Sequence, residues 1–448
     1  MPTKSYADPQ LKKFDLKNFV GGYNSYTQGK ANVKDNEFPY GLNVILDGNG
    51  SVMKRPGSAR YGAEICAGKA LRGGGWLHNN TYNALIVAAG TAWYKDDGTD
   101  TAALTGMAFI DDKTTDFCQA TDKLYGANNT DNLAYTADGA TITEITANGN
   151  IGRWPVFYNQ RLYMTNAANK DRVYYSNVFI VTNTNTGGAT STSVVTGFDD
   201  AHMYDTNLGA SPKLNAGFLI LIPGGGVEIT CLRKDNTSGT EYVYIYTKRH
   251  GIWRMTASGT ANTDGSINHT IVQIITAYGS PAGGSIVKVA NDQWFFDGVM
   301  FKTYGESAQY QNLRLTDKSG RIQTETDSIA DKTSVVGGLY KNTLYYSYMV
   351  GTYNDRIIPY DVRMNAWGSP QQGVNANWFL EYEDQGITRF LAGSSDPSDS
   401  YVYELESGTN DDVDAVNGYF ETKSTDCDTK LKKYFAFIDV YYTMVYED

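Results

Sequence analysis

Histidine, cysteine and proline are all scarce in this chain of 448 residues, at 4, 4 and 11. The cysteines, Cys66, Cys118, Cys231 and Cys427, stand far apart with no Cys-x-x-Cys pair. That argues against a compact zinc site or a disulfide framework and leaves buried free thiols. The histidines are scattered, and none stands four residues from another beside a Glu, so no zinc-hydrolase helix is written here. Charged residues make up 19%, below the usual figure of about 25%, which argues against disorder through charge repulsion. The longest apolar run, Gly217 to Pro223, is far below the roughly 20 residues of a membrane helix, and Met1-Pro-Thr-Lys4 opens no secretory leader. The expectation is a protein made in a cytoplasm without membrane insertion.

Motifs for chemistry are also missing. Gly62 to Ala70 fails as a phosphate loop: its first glycine is one residue too far away, and Ala70 stands where Ser or Thr would hold magnesium. Arg72-Gly-Gly-Gly75 reads as a turn, not a dinucleotide fingerprint. Asn410 to Gly418 has the acidity of a calcium loop, but counting from Asp412 places Val416 at the third ligand. No Gly-x-Ser-x-Gly elbow and no sialidase-type Ser-x-Asp-x-Gly-x-Thr-Trp box occurs. No catalytic residue, cofactor-binding residue, cofactor or metal ligand is assigned, and no enzymatic activity is expected.

What the chain has in quantity is 34 Tyr and 46 Gly. Short segments such as Tyr242-Val-Tyr-Ile-Tyr-Thr247 and Thr343-Leu-Tyr-Tyr-Ser-Tyr348 alternate at period two, as half-buried strands do. Asp97-Gly98, Asp138-Gly139, Asp264-Gly265 and Asp297-Gly298 lie between such segments and suit tight turns. Hairpin cores centre near Leu85, Lys123, Arg161, Val243, Gln293, Asn342 and Arg389, with gaps of 38, 38, 82, 50, 49 and 47 by subtraction. A pitch of about 40–50 residues is that of a four-stranded propeller blade. The fold class expected is all-β, a β-propeller of about seven blades (6–8) over residues 66–446. Residues 1–65 form an N-terminal extended arm with strand segments packed on it. The double gap holds an uncharged Thr/Asn/Gly-rich insertion at 181–195, read as a surface loop or a projecting contact loop. Lys432 to Glu447 alternates strongly and is the expected closing strand. The seven Trp, about one per repeat, are read as packing between blades.

The N-terminal stretch carries a resemblance. Phe19-Val-Gly-Gly-Tyr-Asn24, Asp35-Asn-Glu-Phe-Pro39, Leu42-Asn-Val44 and Gly50-x-x-x-Lys54-Arg55-Pro56-Gly57 resemble the opening of tail nozzle proteins of short-tailed bacteriophages. Glu241 to Trp253 and Gly279 to Asp297 look like successive blades of the related packaged-DNA stabilisation (tail hub) proteins. The resemblance implies a structural virion protein of the phage tail. It would be a homo-oligomeric ring, typically a hexamer, contacting neighbouring tail and adaptor proteins. DNA would pass through its lumen without sequence-specific binding and be retained there before ejection. Gly21, Gly22, Arg55, Pro56 and Gly57 are the candidate interaction residues, serving the fold or the ring contact. Six copies would carry 6 × −11 = −66, a charge suited to a lumen that does not grip phosphate. The alternative is a carbohydrate-binding or polysaccharide-depolymerising propeller, marked by a central pocket with two carboxylates and an aromatic.

Overall fold

The computed structural model describes residues 18–26, 33–145, 151–159, 161–176, 181–182, 191–192, 217–221, 226–237, 240–261, 267–306, 313–384 and 386–422. Period-two segments joined by tight turns give antiparallel meanders of four strands, repeated seven times. Blade 1 is Leu71–His78, Asn83–Ala89, Ala92–Asp96 and Thr101–Ala103. Blades 2 to 6 begin at Asp116–Ala120, Val156–Tyr158, Ile229–Thr237, Val287–Val289 and Val336–Tyr340. Blade 7 begins at Ala376–Asp384. The chain is a seven-bladed β-propeller. All seven hairpin centres read from the sequence fall in or beside the second strand of a blade.

Turn chemistry explains the local registers. Gly98, Gly139 and Gly298 take φ of 83°, 65° and 98° in the predicted Asp-Gly turns. Each Asp also accepts hydrogen bonds from nearby backbone amides, as Asp297 does from Val299 and Met300. The long gap arises within blade 3, where Arg172–Tyr175 pairs with Gly217–Ile220. Inside that excursion the described residues include one ladder, Val181–Thr182 against Ser191–Thr192.

The core is divided among the blade interfaces. Seven clusters of buried residues match the seven junctions, each drawing on two adjacent blades. Aromatic rings bridge them. Phe301 of blade 5 stacks on Tyr346 of blade 6 at 4.2 Å between centroids, and Tyr340 of blade 6 stacks on Phe390 of blade 7 at 5.1 Å. Such pairs add about 0.5–1.5 kcal/mol each beyond area burial.

Closure comes from upstream of blade 1. Ser58–Arg60 is the outer strand of blade 7, antiparallel to Val402–Leu405, with Tyr403 opposite Arg60 and Leu405 opposite Ser58. These three residues fall in the stretch expected as the arm. The alternating segment from Lys432 lies outside the described residues. The Arg72-Gly-Gly-Gly75 reading needs correction: Gly73, Gly74 and Gly75 lie within the inner strand Leu71–His78. A Cβ at Gly74 would stand 2.5 Å from the Trp378 ring, and one at Gly75 2.6 Å from Phe117. Glycine is needed there for close approach between blades, a tertiary demand that looks like turn composition in one dimension.

Candidate functional site

The five residues singled out in the N-terminal stretch all lie on a strap that crosses blades 5 to 7. Gly22–Tyr23 pairs in parallel with Glu37–Phe38. Gly21 donates to the Asn36 carbonyl at 2.8 Å, and its own carbonyl accepts from Arg321 at 2.8 Å. Gly22 sits at φ 76° with its α-carbon against Trp367, where a Cβ would come within 2.6 Å of the Trp367 carbonyl oxygen. Glycine is required on both counts. Tyr23 then donates to Glu325 at 2.8 Å, and Tyr348 of blade 6 donates to the other oxygen at 3.0 Å. One carboxylate on the short helix Gln323–Ser328 thus pins the strap to a blade.

Arg55 anchors the other end. Its side chain is almost wholly buried, forms an ion pair with Asp411, and donates to Asn43 at 3.1 Å and to the Pro56 carbonyl at 2.8 Å. Its Nη2 also donates to the Gln372 carbonyl. Asp411 accepts from Ser58 as well, at 2.9 Å. Pro56 and Gly57 turn the chain into Ser58–Arg60. Gly57 donates to the Gly408 carbonyl at 2.9 Å, and a Cβ there would collide with the Asn410 backbone. Asp411 belongs to the acidic loop considered as a calcium site, and it is occupied by Arg55. Among the described residues no group of His, Cys, Asp or Glu is placed to hold a metal ion.

The propeller axis holds a cavity of about 910 Å3. Consecutive residues line it, including Asp116 to Gln119 and Trp378 to Leu380. Successive side chains of a strand point to opposite faces, so consecutive lining residues mean that the strand edge looks inward. Each first strand ladders to one neighbour only, which leaves that edge free. The charged lining comprises Arg72, Arg153, Lys170, Arg233, Lys234 and Lys248 against Asp116, Glu228 and Asp331, so 6 − 3 = +3 in a chain of net −11. The negative lumen expected of a ring is therefore not this cavity.

Most of these charges are engaged. Arg153 grips Asp116 through two bonds, at 2.6 and 3.1 Å. Lys170 and Lys248 both meet Glu228, at 3.4 and 3.2 Å. Burial works against the ionised form of Glu228. The Lys248 hydrogen bond and the Lys170 charge nevertheless hold it below the usual carboxylate range, the opposite of what a glycosidase acid needs. Arg233 has no carboxylate within ion-pair distance among the described residues, and its Nε is buried without a hydrogen-bond partner. Trp154, in the loop leading into blade 3, packs against the blade 3/4 and blade 4/5 clusters with φ 57°, an outlier for a bulky residue. The Arg153 guanidinium lies 4.7 Å from its ring and that of Arg233 5.6 Å. Gly283 supplies the room, since a Cβ there would overlap the indole. Burial pushes the Cys118 thiol up to about 11 and Cys231 up to about 12, which leaves both as poor nucleophiles at neutral pH.

No family model matches the chain, and no curated protein matches it. Solved structures do, and they are propellers. The β-propeller domain of Cps50 (Swd1) from Myceliophteria thermophila is similar at 6% identity and a TM-score of 0.45, covering 78% of this chain and 99% of that one. YCF48 from Cyanidioschyzon merolae is similar at 8% identity and a TM-score of 0.43, with 78% and 98% covered. The computationally designed Ika8 protein is similar at 9% identity and a TM-score of 0.40, with 78% and 99% covered. At these identities the likeness concerns the fold alone.

Sequence reasoning placed Arg55, Pro56 and Gly57 together because they are adjacent, but not their partner Asp411, 356 residues away. It missed the cavity residues Arg153, Arg233, Lys248 and Glu228. Trp154 was visible only as one of seven dispersed tryptophans. The run Arg153-Trp154-Pro155 is the one local signal that could have drawn attention to the site.

Proposed function

We propose that this chain is a structural virion protein, the subunit of a phage tail nozzle or hub ring through which DNA passes and in which it is retained. The observation that carries this reading is the place in the fold of the described residues 19–26 and 33–57. The segment that most specifically resembles nozzle proteins forms the strap that pins blades 5 to 7 and leads into the strand closing blade 7. A propeller locked at its seam resists opening, which suits a part under load during DNA passage. The cavity charges support a role without catalysis, since Asp116 and Glu228 are both tied up by cations.

The test is oligomeric mass and shape. Light scattering and negative-stain imaging of the concentrated protein are expected to show a closed ring of several copies, typically six. Virions lacking the chain are expected to lose packaged DNA. A strictly monomeric protein, in isolation and with tail proteins present, overturns the reading.

A further inference from the structure

We propose that the central cavity is a receptor site for an extended, acidic peptide segment of a partner protein, entering past Arg153, Lys170 and Lys248. Four features converge on such a guest. The inward-facing strand edges present backbone N–H and C=O groups, which match the amides of an extended chain. The lining carries six cations against three carboxylates although the whole chain is acidic, with Arg72 and Lys234 also paired to Asp112 and Glu241 outside it. The cations are also stacked in depth. Glu228, with its two lysines, stands just before the inner strand Ile229–Thr237 and precedes Arg233 by five residues, at most about 16 Å at roughly 3.3 Å per residue. A small anion would engage one level; a peptide with carboxylates along its length can engage several.

The fourth feature is Arg233 itself. Trp154 is held at a strained backbone angle beside Arg153 and Arg233, with Gly283 cleared to admit it. The result positions a guanidinium in a wall of the cavity with no carboxylate of its own among the described residues. A carboxylate from a partner would complete it with a charge-assisted hydrogen bond. A nucleic acid strand would also offer negative charge. Its phosphates continue beyond the cavity and must run across the acidic exterior, whereas a short peptide ends within it.

Fluorescence anisotropy of the full chain with labelled probes tests this. The probes are a peptide of alternating Glu and Ala, its Lys/Ala counterpart and oligothymidine. The Glu/Ala peptide is expected to bind, more weakly as salt rises, while the Lys/Ala peptide does not. Arg233→Gln breaks no ion pair and is expected to melt like the parent while weakening the peptide about tenfold, the scale of a lost charged contact. Lys248→Gln, which leaves Glu228 its second lysine, is expected to weaken it in the same direction. Failure of the Glu/Ala peptide to bind at low salt overturns the proposal. So does equal binding to the parent and both variants, or displacement of the peptide by oligothymidine at lower concentration. None of these readouts depends on ring assembly, so this site and the ring reading stand or fall separately.

Discussion

Asp96 is a carboxylate that the fold would rather hold neutral. It ends the third strand of blade 1, beside the blade 7 seam, and is fully buried. One oxygen accepts from the Gly98 amide at 2.9 Å, while the other is buried with no partner. Tyr61 and Tyr382 lie nearby at the seam, Asp97 is adjacent in sequence, and Gly62 packs directly onto the carboxylate. Burial raises its pKa from 3.8 to about 6; the Gly98 hydrogen bond opposes this and the Asp97 charge adds to it. The folded pKa is therefore the higher one. Below about 3.8 both states are protonated and Asp96 costs nothing; above about 6 both are ionised, and the folded state bears the whole difference. At 1.36 kcal/mol per unit, the cost at neutral pH is about 3 kcal/mol. Asn preserves shape and the Gly98 acceptor, so Asp96→Asn is expected to stabilise the protein at pH 7.5 by up to that amount. With an unfolding entropy scaling with chain length, this is a rise in Tm of roughly 3 °C. At pH 5 the parent recovers about 1.3 kcal/mol through protonation, so the gap between parent and variant narrows. Thermal melts of both proteins at the two pH values decide the matter. A variant that is no more stable at pH 7.5, or a gap that stays constant with pH, refutes the reasoning.

Further substitutions probe the fold. Arg55→Met leaves Asp411 buried without its cation and is expected to cost about 3–5 kcal/mol; urea unfolding measures the loss, and limited proteolysis shows whether the strap is released first. Gly74→Ala drives a methyl into the Trp378 ring and is expected to destabilise by about 1–3 kcal/mol or more. Gly48→Ala, with open space around it, is expected to be neutral or to stabilise by about 0.4–1 kcal/mol in the same melt. Tyr246 and Tyr304 share a buried hydrogen bond of 2.9 Å between blades 4 and 5, so Tyr246→Phe orphans the Tyr304 hydroxyl at about 1–3 kcal/mol, whereas Tyr304→Phe leaves Tyr246 its 3.4 Å bond to Gln293 and costs less. The double variant is expected to cost less than the sum, and additive losses would show that the pair is not coupled.

The extent of the fold legible in the sequence follows from what is local. Alternation in Thr343–Tyr348 and the turn at Asp297-Gly298 are set by neighbours a few residues away, so strands, turns and the seven repeats could be read directly. Gly73 to Gly75 could not, because their reason is the Trp378 and Phe117 rings and the Thr115 carbonyl, contributed by blade 7, blade 2 and the loop leading into blade 2. Ser58–Arg60 carries little alternation of its own. It closes the ring because Arg55 and Gly57 fix it against a loop near residue 410.

The candidate sites divide in the same way. By itself the sequence determined an all-β chain, a blade count of about seven within 6–8, most of its turn residues and the strap motif, since each of these is written in contiguous residues. Only the tertiary structure decided which strand seals the propeller, that Asp96 is buried, and that an acidic chain encloses a cationic cavity. Arg153 comes from the loop leading into blade 3 and Arg233 and Lys248 from blade 4, and they share a wall only once the two blades have packed together. Charge summed along a chain carries no record of where folding will concentrate it.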